Sequence, residues 1–200
     1  MGRRLRVVLA TTNRDKAQEI ADVVGDWLEL APRPAGIPEV VETEATLEGN
    51  ARLKARAIAL ATGEPSLGDD TGLEVRALGG APGIYAARYA GSRATYADNV
   101  AKLLAELEPH ADRRARFRTV VVLAFPDGAE IVGAGVVDGE IAPRVSGARG
   151  FGYDPVFIPD EGGGRTFAEM SAAEKHEVSH RGRALRDLRV RLERLGLTNP

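Results

Sequence analysis

The feature that most constrains this chain is its opening, where a short β-branched apolar run, Leu5 to Ala10, empties into the polar stretch Thr11-Thr12-Asn13-Arg14-Asp15-Lys16. Such a run reads as a buried strand. Helical spacing follows, with Ala17, Ile20, Ala21 and Val24 recurring at i, i+3, i+4 and i+7, and Gly25 stands where a left-handed C-terminal cap belongs. The chain therefore begins strand, loop, helix.

The same signals recur downstream. Pro32, Pro34 and Pro38 mark a loop, and the Ala-, Leu- and Arg-rich stretch Thr46 to Thr62 reads as a helix ending at Gly63. Ser66 to Gly68 is a brief strand running into an acidic corner, Asp69-Asp70-Thr71-Gly72, before Leu73 to Leu78 resumes an extended pattern and Gly79, Gly80, Pro82 and Gly83 make a turn. Thr95 is placed to cap a helix whose stripe is Val100, Leu103, Leu104 and Leu107. Arg116 to Phe125 and Glu130 to Val137 flank Pro126-Asp127-Gly128-Ala129, a hairpin signal. Gly147, Gly150 and Gly152 predict a flexible segment, and Gly162 to Gly164 a mobile loop. Ser171-Ala172-Ala173-Glu174 is a capping box, and Leu185, Leu188, Leu192 and Leu195 line a final helix closed by Gly196. Helices mixed with parallel-compatible and hairpin strands predict an α/β fold with a mixed sheet, read as a single domain over residues 1–200.

Composition narrows the function. With 27 Lys and Arg against 29 Asp and Glu, the net charge of -2 supplies no global pull toward nucleic acid or an anionic membrane, so neither is expected as a partner. The absence of cysteine excludes disulfides, zinc-thiolate sites and thiol nucleophiles. The basic start Met1-Gly2-Arg3-Arg4 precedes too short an apolar stretch for a signal peptide, and no run approaches the ~20 residues of a membrane helix, so a soluble, cytoplasmic protein is expected.

Three clusters can carry chemistry. The stretch Thr11 to Lys16 lies between a strand and a helix, where backbone N–H groups, the helix dipole and the Lys16 charge suit a phosphate, although the Walker A spacing is absent. Asp69 and Asp70, with Glu42 and Glu44 upstream, are hard oxygen ligands of the kind Mg²⁺ takes, and an aspartate there can accept a proton from water; a turn with solvated acids is the plainer reading. His176-Glu177-Val178-Ser179-His180 matches HExxH, but it falls at an expected junction between two short helices, which disfavours a zinc site.

Six motifs in order are similar to the inosine triphosphate pyrophosphatase family, also called XTP/dITP diphosphatases, over almost the whole chain. They are Leu9 to Lys16, Thr46 to Ala51 with Lys54-Ala55, Asp69 to Leu73, Leu78 to Tyr89, Phe151 to Phe157, and Ser179 to Leu185. The resemblance implies an elongated two-lobed α/β fold with a mixed sheet flanked by helices and the active cleft between lobes. It implies a homodimer that uses Mg²⁺ to cut non-canonical purine triphosphates such as ITP, dITP and XTP into the monophosphate and pyrophosphate. Residue by residue, it gives Thr11, Thr12, Asn13, Arg14, Asp15 and Lys16 to the phosphates, Asp70 as general base and metal contact, Glu42 as metal ligand and Thr71 as a substrate contact. Phe151, Gly152, Tyr153, Asp154, Lys175, His180 and Arg181 would surround the nucleoside, with Arg181 reading the purine 6-carbonyl and N7. Three positions depart from the family pattern: Thr12 stands for Gly, Thr71 for Ser, and Gly49 occupies a usual Glu position with Glu48 one residue earlier. Rival readings are a related pyrophosphatase of the Maf type, a zinc peptidase, and a nucleotide sensor without turnover.

Overall fold

The computed structural model describes residues 4–198, so Met1 to Arg3 of the basic start lie outside the described residues. Strand β1 (Leu5–Leu9) pairs in parallel with β2 (Leu28–Ala31) on one side and β3 (Ser66–Val75) on the other, with Val8 opposite both Ala31 and Ser66. The two-residue β4 (Pro82–Gly83) joins β3 antiparallel, and β7 (Phe157–Pro159) lies antiparallel to β6 (Glu130–Ile141). With β5 (Arg114–Ala124) the order is β2-β1-β3-β5-β6-β7, a mixed sheet. The helices among the described residues are α1 (Arg14–Val24), α2 (Leu47–Thr62), α3 (Tyr96–Leu107), α4 (Ala172–Val178) and α5 (His180–Arg194).

The caps explain most of the boundaries. Thr95 and Ser171 form full capping boxes with Asp98 and Glu174, and Thr46 accepts from the Gly49 N–H while Gly63 ends α2 in the left-handed region at φ 69°. Gly196, also at φ 69°, closes α5 as Leu197 N–H returns to the Leu192 carbonyl.

Four expectations need correction, and one strand was not foreseen. Gly25 is right-handed, at φ −57°, because the chain stays helix-like through a turn in which Trp27 N–H reaches the Val24 carbonyl. Leu195 lies beyond α5 and is 62% exposed, whereas Leu185, Leu188 and Leu192 are fully buried. The short β2 has no counterpart in the sequence reading, since four residues give too little alternation to see. Asp69 to Gly72 is no corner: β3 runs unbroken from Ser66 to Val75 and both aspartates are buried within it. The Gly162 to Gly164 segment, expected to be a loop, holds a short 3₁₀ turn over Asp160–Gly162 in which Gly162 is buried.

The chain folds as two compact units. The first takes its described residues from Met1–Asp70, Thr119–Gly135 and Arg181–Pro200, and the second is Thr71–Arg118 with Val136–His180. In the first unit, Val7, Leu9 and Leu67 of the sheet pack with Ile20 and Val24 of α1 and Ala184, Leu185, Leu188 and Leu192 of α5. Val8, Ala10 and Ala31 pack with Ile58 of α2 in a separate cluster. The second unit centres on Phe117, Phe157 and Phe167, whose rings meet at 4.7 and 5.3 Å, with Leu103 and Leu107 of α3 against them.

Candidate active site

In the first unit, the end of β1, the middle of β3 and the start of α1 place the charged groups. Successive residues of a strand point to opposite faces. Gly68 and Asp70 therefore look toward α2, and a Cβ on Gly68 would come within 2.4 Å of the Ala51 carbonyl oxygen there. Asp69 looks the other way, toward α1 and α5. The two adjacent carboxylates thus serve two different sets of partners.

Asp70 is held by Lys54, whose Nζ lies 3.1 Å from its Oδ1 and 2.8 Å from Glu42 Oε1. One ammonium thus bridges the two acids expected to bind metal. Asp70 Oδ2 is buried with no protein hydrogen-bond partner. Burial raises the Asp70 carboxyl above its ordinary value, with Glu42 adding to the shift and Lys54 and Lys16 opposing it. A carboxylate so raised is better poised to take up a proton.

Asp69 has its side chain fully buried, and its Oδ2 lies 3.1 Å from Lys16 Nζ and 3.4 Å from the Arg181 guanidinium. Burial alone would push this carboxyl up; Lys16, Arg181 and Lys54 outweigh it and hold it well below the usual carboxylate range. Arg181, itself buried, also donates to Glu19.

In the stretch Thr11 to Lys16 several backbone amides are already engaged. Asn13 is the N-cap of α1, so Arg14, Asp15 and Lys16 already belong to the helix. The Asn13 side chain accepts from the Asp15 and Lys16 N–H groups at 2.9 and 3.1 Å, and the Asn13 N–H donates to Thr11 Oγ1 at 3.1 Å. Those three amides are therefore used within the segment. Thr11, Thr12, Asn13 and Arg14 line a cavity of about 580 Å³ with the Pro32–Ile37 loop. Arg33 fastens that loop by donating to the carbonyls of Ala10, Ile37 and Pro38.

The departure at Gly49 has a structural reason. A Cβ there would fall 2.6 Å from Glu44 Cβ, so Glu44 fills the space a side chain at 49 would need. Asn50 clasps the Glu44 backbone through both N–H and carbonyl, which fixes the segment carrying Glu42 onto α2. Glu48 faces solvent and pairs with Arg52 one turn on.

The second unit gathers Phe151 to Asp154, Lys175 and His180. Asp154, buried, accepts from the Phe151 N–H at 2.8 Å and from Lys175 Nζ. Lys175 Nζ also lies 5.1 Å from the centre of the half-buried Phe151 ring, which Tyr96 flanks at 5.7 Å. His180 is buried and stacks on Phe117 at 4.5 Å. Tyr153 was expected to contact substrate, but its ring is in the core and its hydroxyl donates to the Ala86 carbonyl at 2.9 Å, so it anchors the segment. Thr71 is half-buried, the first residue of this unit.

One sequence expectation, the helix junction inside the HExxH match, holds on this geometry, and one, the place of Arg181, changes. The HExxH match does not share a helix face: α4 stops at Val178, Ser179 is extended at ψ 155°, and His180 opens α5. Arg181, expected on the base, turns its guanidinium to Glu19 and Asp69. Lys54 was quoted in a motif without a role; its place one helical turn after Asn50, on the face that meets β3, is the signal that would have found it. Asp69's role was hidden because a sequence cannot show which face of a strand an acid takes.

Among the described residues no group of three or more His, Cys, Asp or Glu is placed to hold a metal, and no helix is long and apolar enough to cross a membrane.

Comparison with known proteins agrees over the whole fold. A family model described as the Ham1 family matches residues 7–191. A Rhodospirillum centenum protein named dITP/XTP pyrophosphatase is 48% identical over 190 residues, covering 92% of this chain and 93% of that protein. Its namesake in Vibrio parahaemolyticus is 45% identical over 193 residues, covering 94% and 96%. Among solved structures, the Staphylococcus aureus Ham1 protein superposes with a TM-score of 0.83 at 40% identity, covering 94% of this chain and 98% of that one. A HAM1 protein from Coxiella burnetii gives 0.85 at 40%, covering 95% and 99%. With the mixed sheet, the buried Asp69-Asp70 pair and the Lys175-Asp154 clasp in place, these matches establish that the chain belongs to the Ham1 family.

Proposed function

We propose that this protein is a Mg²⁺-dependent pyrophosphatase that converts non-canonical purine triphosphates, namely ITP, dITP and XTP, into the monophosphate and pyrophosphate. The observation that carries the reading is the raised, buried Asp70 sharing one cation with Glu42. Water attacks the α-phosphorus and Asp70 takes its proton, while Lys16 with Thr11, Thr12, Asn13 and Arg14 steadies the phosphate chain.

The donor set suits Mg²⁺. Glu42 and Asp70 would hold it, since both already converge on the Lys54 ammonium and Asp70 keeps one oxygen without a protein partner. Two carboxylates with waters are typical of Mg²⁺, which keeps much of its hydration, whereas zinc takes three protein ligands at a catalytic site. When bound, the ion would neutralise charge on the phosphate oxygens. In the second unit, Phe151 offers a ring face and Lys175 and His180 polar edges for the nucleoside, with Gly152 and Asp154 setting their positions and Thr71 contributing a hydroxyl. On the resemblance we further infer a homodimer and a cytoplasmic location.

The test is a substrate panel. With Mg²⁺, ITP, dITP and XTP should give monophosphate and pyrophosphate at kcat/KM values well above those for ATP and GTP. Release of diphosphate and phosphate, or no turnover of any member, would refute the reading; binding without turnover would favour a sensor.

A further inference from the structure

Asp69 carries no role in the chemistry just described, yet it is the most thoroughly buried charge in the first unit. A single oxygen, Oδ2, receives both Lys16 and Arg181, and Arg181 spans from it to Glu19. Burying a carboxylate requires compensation of this kind. One cation on Asp69 would supply it; two converge.

We propose that Asp69 is a positioning residue that aims Lys16 at the phosphates, and that Arg181 balances its charge so that Lys16 keeps its pull on them. The proposal rests on the reading of Lys16 as a phosphate contact. An ammonium has three donors, so one bond to Asp69 fixes Nζ and leaves two for phosphate oxygens. Lysine loses much rotamer freedom on being ordered, and Asp69 takes that loss in the free protein rather than at binding. Without Arg181, the same aspartate would cancel the Lys16 charge; Arg181, shared between Asp69 and Glu19, offsets part of it, so the position is kept and the pull is not lost.

The test is a double-mutant cycle read in KM and kcat for ITP. Lys16→Ala is expected to raise KM about tenfold or more. Asp69→Asn, which keeps the shape, should raise KM by a similar factor with kcat changed less than threefold. The double variant should match Lys16→Ala alone, because Asp69 acts only through Lys16. Factors that multiply in the double variant, or an unchanged KM in Asp69→Asn where Lys16→Ala raises it, would overturn the positioning role and leave the function standing. An unchanged KM in Lys16→Ala would overturn the phosphate contact and the inference together.

A second measurement needs no variant. The chain has four lysines, so ¹⁵N ammonium NMR of the native protein can resolve Lys16. A restricted Lys16 ammonium before nucleotide is added supports the proposal, and one that reorients freely overturns it.

Discussion

Gly68→Ala tests how the packing of α2 sets the chemistry. The new methyl would sit 2.4 Å from the Ala51 carbonyl oxygen, 2.8 Å from Ala55 N and 3.1 Å from Ala55 Cβ, two of them backbone atoms that cannot swing aside. Ordinary contact begins near 3.4 Å, so α2 has to retreat from β3 by about 1 Å. Overpacking of this kind costs roughly 1–3 kcal/mol, and at about 2–4 °C per kcal/mol for a chain of this size the melting temperature should fall by about 2–12 °C. The retreat carries Lys54 with it. Its 3.1 Å approach to Asp70 would stretch past hydrogen-bond range, and a misplacement of about 1 Å at a reacting group can cost on the order of 10²-fold in rate. Thermal melts and steady-state ITP kinetics on the purified variant give both numbers. A variant that melts with the wild type and keeps its kcat would show that the helix–strand distance does not govern the site.

Other outcomes follow from the same geometry. Asp70→Asn should lower kcat by at least about 10²-fold. It should not lower the melting temperature at pH 7: burial raises the Asp70 carboxyl in the folded state, so its charge works against folding above that pKa, and the penalty fades as pH falls through it. A clear drop in melting temperature would contradict the raised carboxyl. Arg181→Ala should lower kcat/KM for ITP and ATP by the same factor, because its guanidinium meets carboxylates; a loss confined to ITP would restore it as a reader of the base. Leu188→Ala, in the fully buried face of α5, should cost about 2–5 kcal/mol in urea unfolding, and a loss under 1 kcal/mol would mean the face is not packed as described.

Most of the architecture was legible because periodicity and caps report local structure. Thr46, Thr95, Ser171, Gly63 and Gly196 all cap where their chemistry predicts, and the β5–β6 hairpin turns at Gly128 with φ 93°. Failures came where tertiary context overrode a local signal. Asp69-Asp70-Thr71-Gly72 carries turn residues, yet cations on α1, α2 and α5 neutralise the acids and let β3 run through. At Gly25 the helix geometry simply continues, so its freedom is not used. In the site, residue types were readable and their partners were not: Lys54 between Glu42 and Asp70, and Arg181 on Asp69, are long-range pairings that spacing along the chain does not encode.

The central claim, that Asp70 activates water against the α-phosphorus, is tested most directly by hydrolysis in H₂¹⁸O. One turnover of ITP with Mg²⁺ should place a single ¹⁸O in IMP and none in pyrophosphate, and Asp70→Asn should slow that labelling in proportion to its kcat. Label found in pyrophosphate, or in free phosphate beside IDP, would place the attack at another phosphorus and contradict the account.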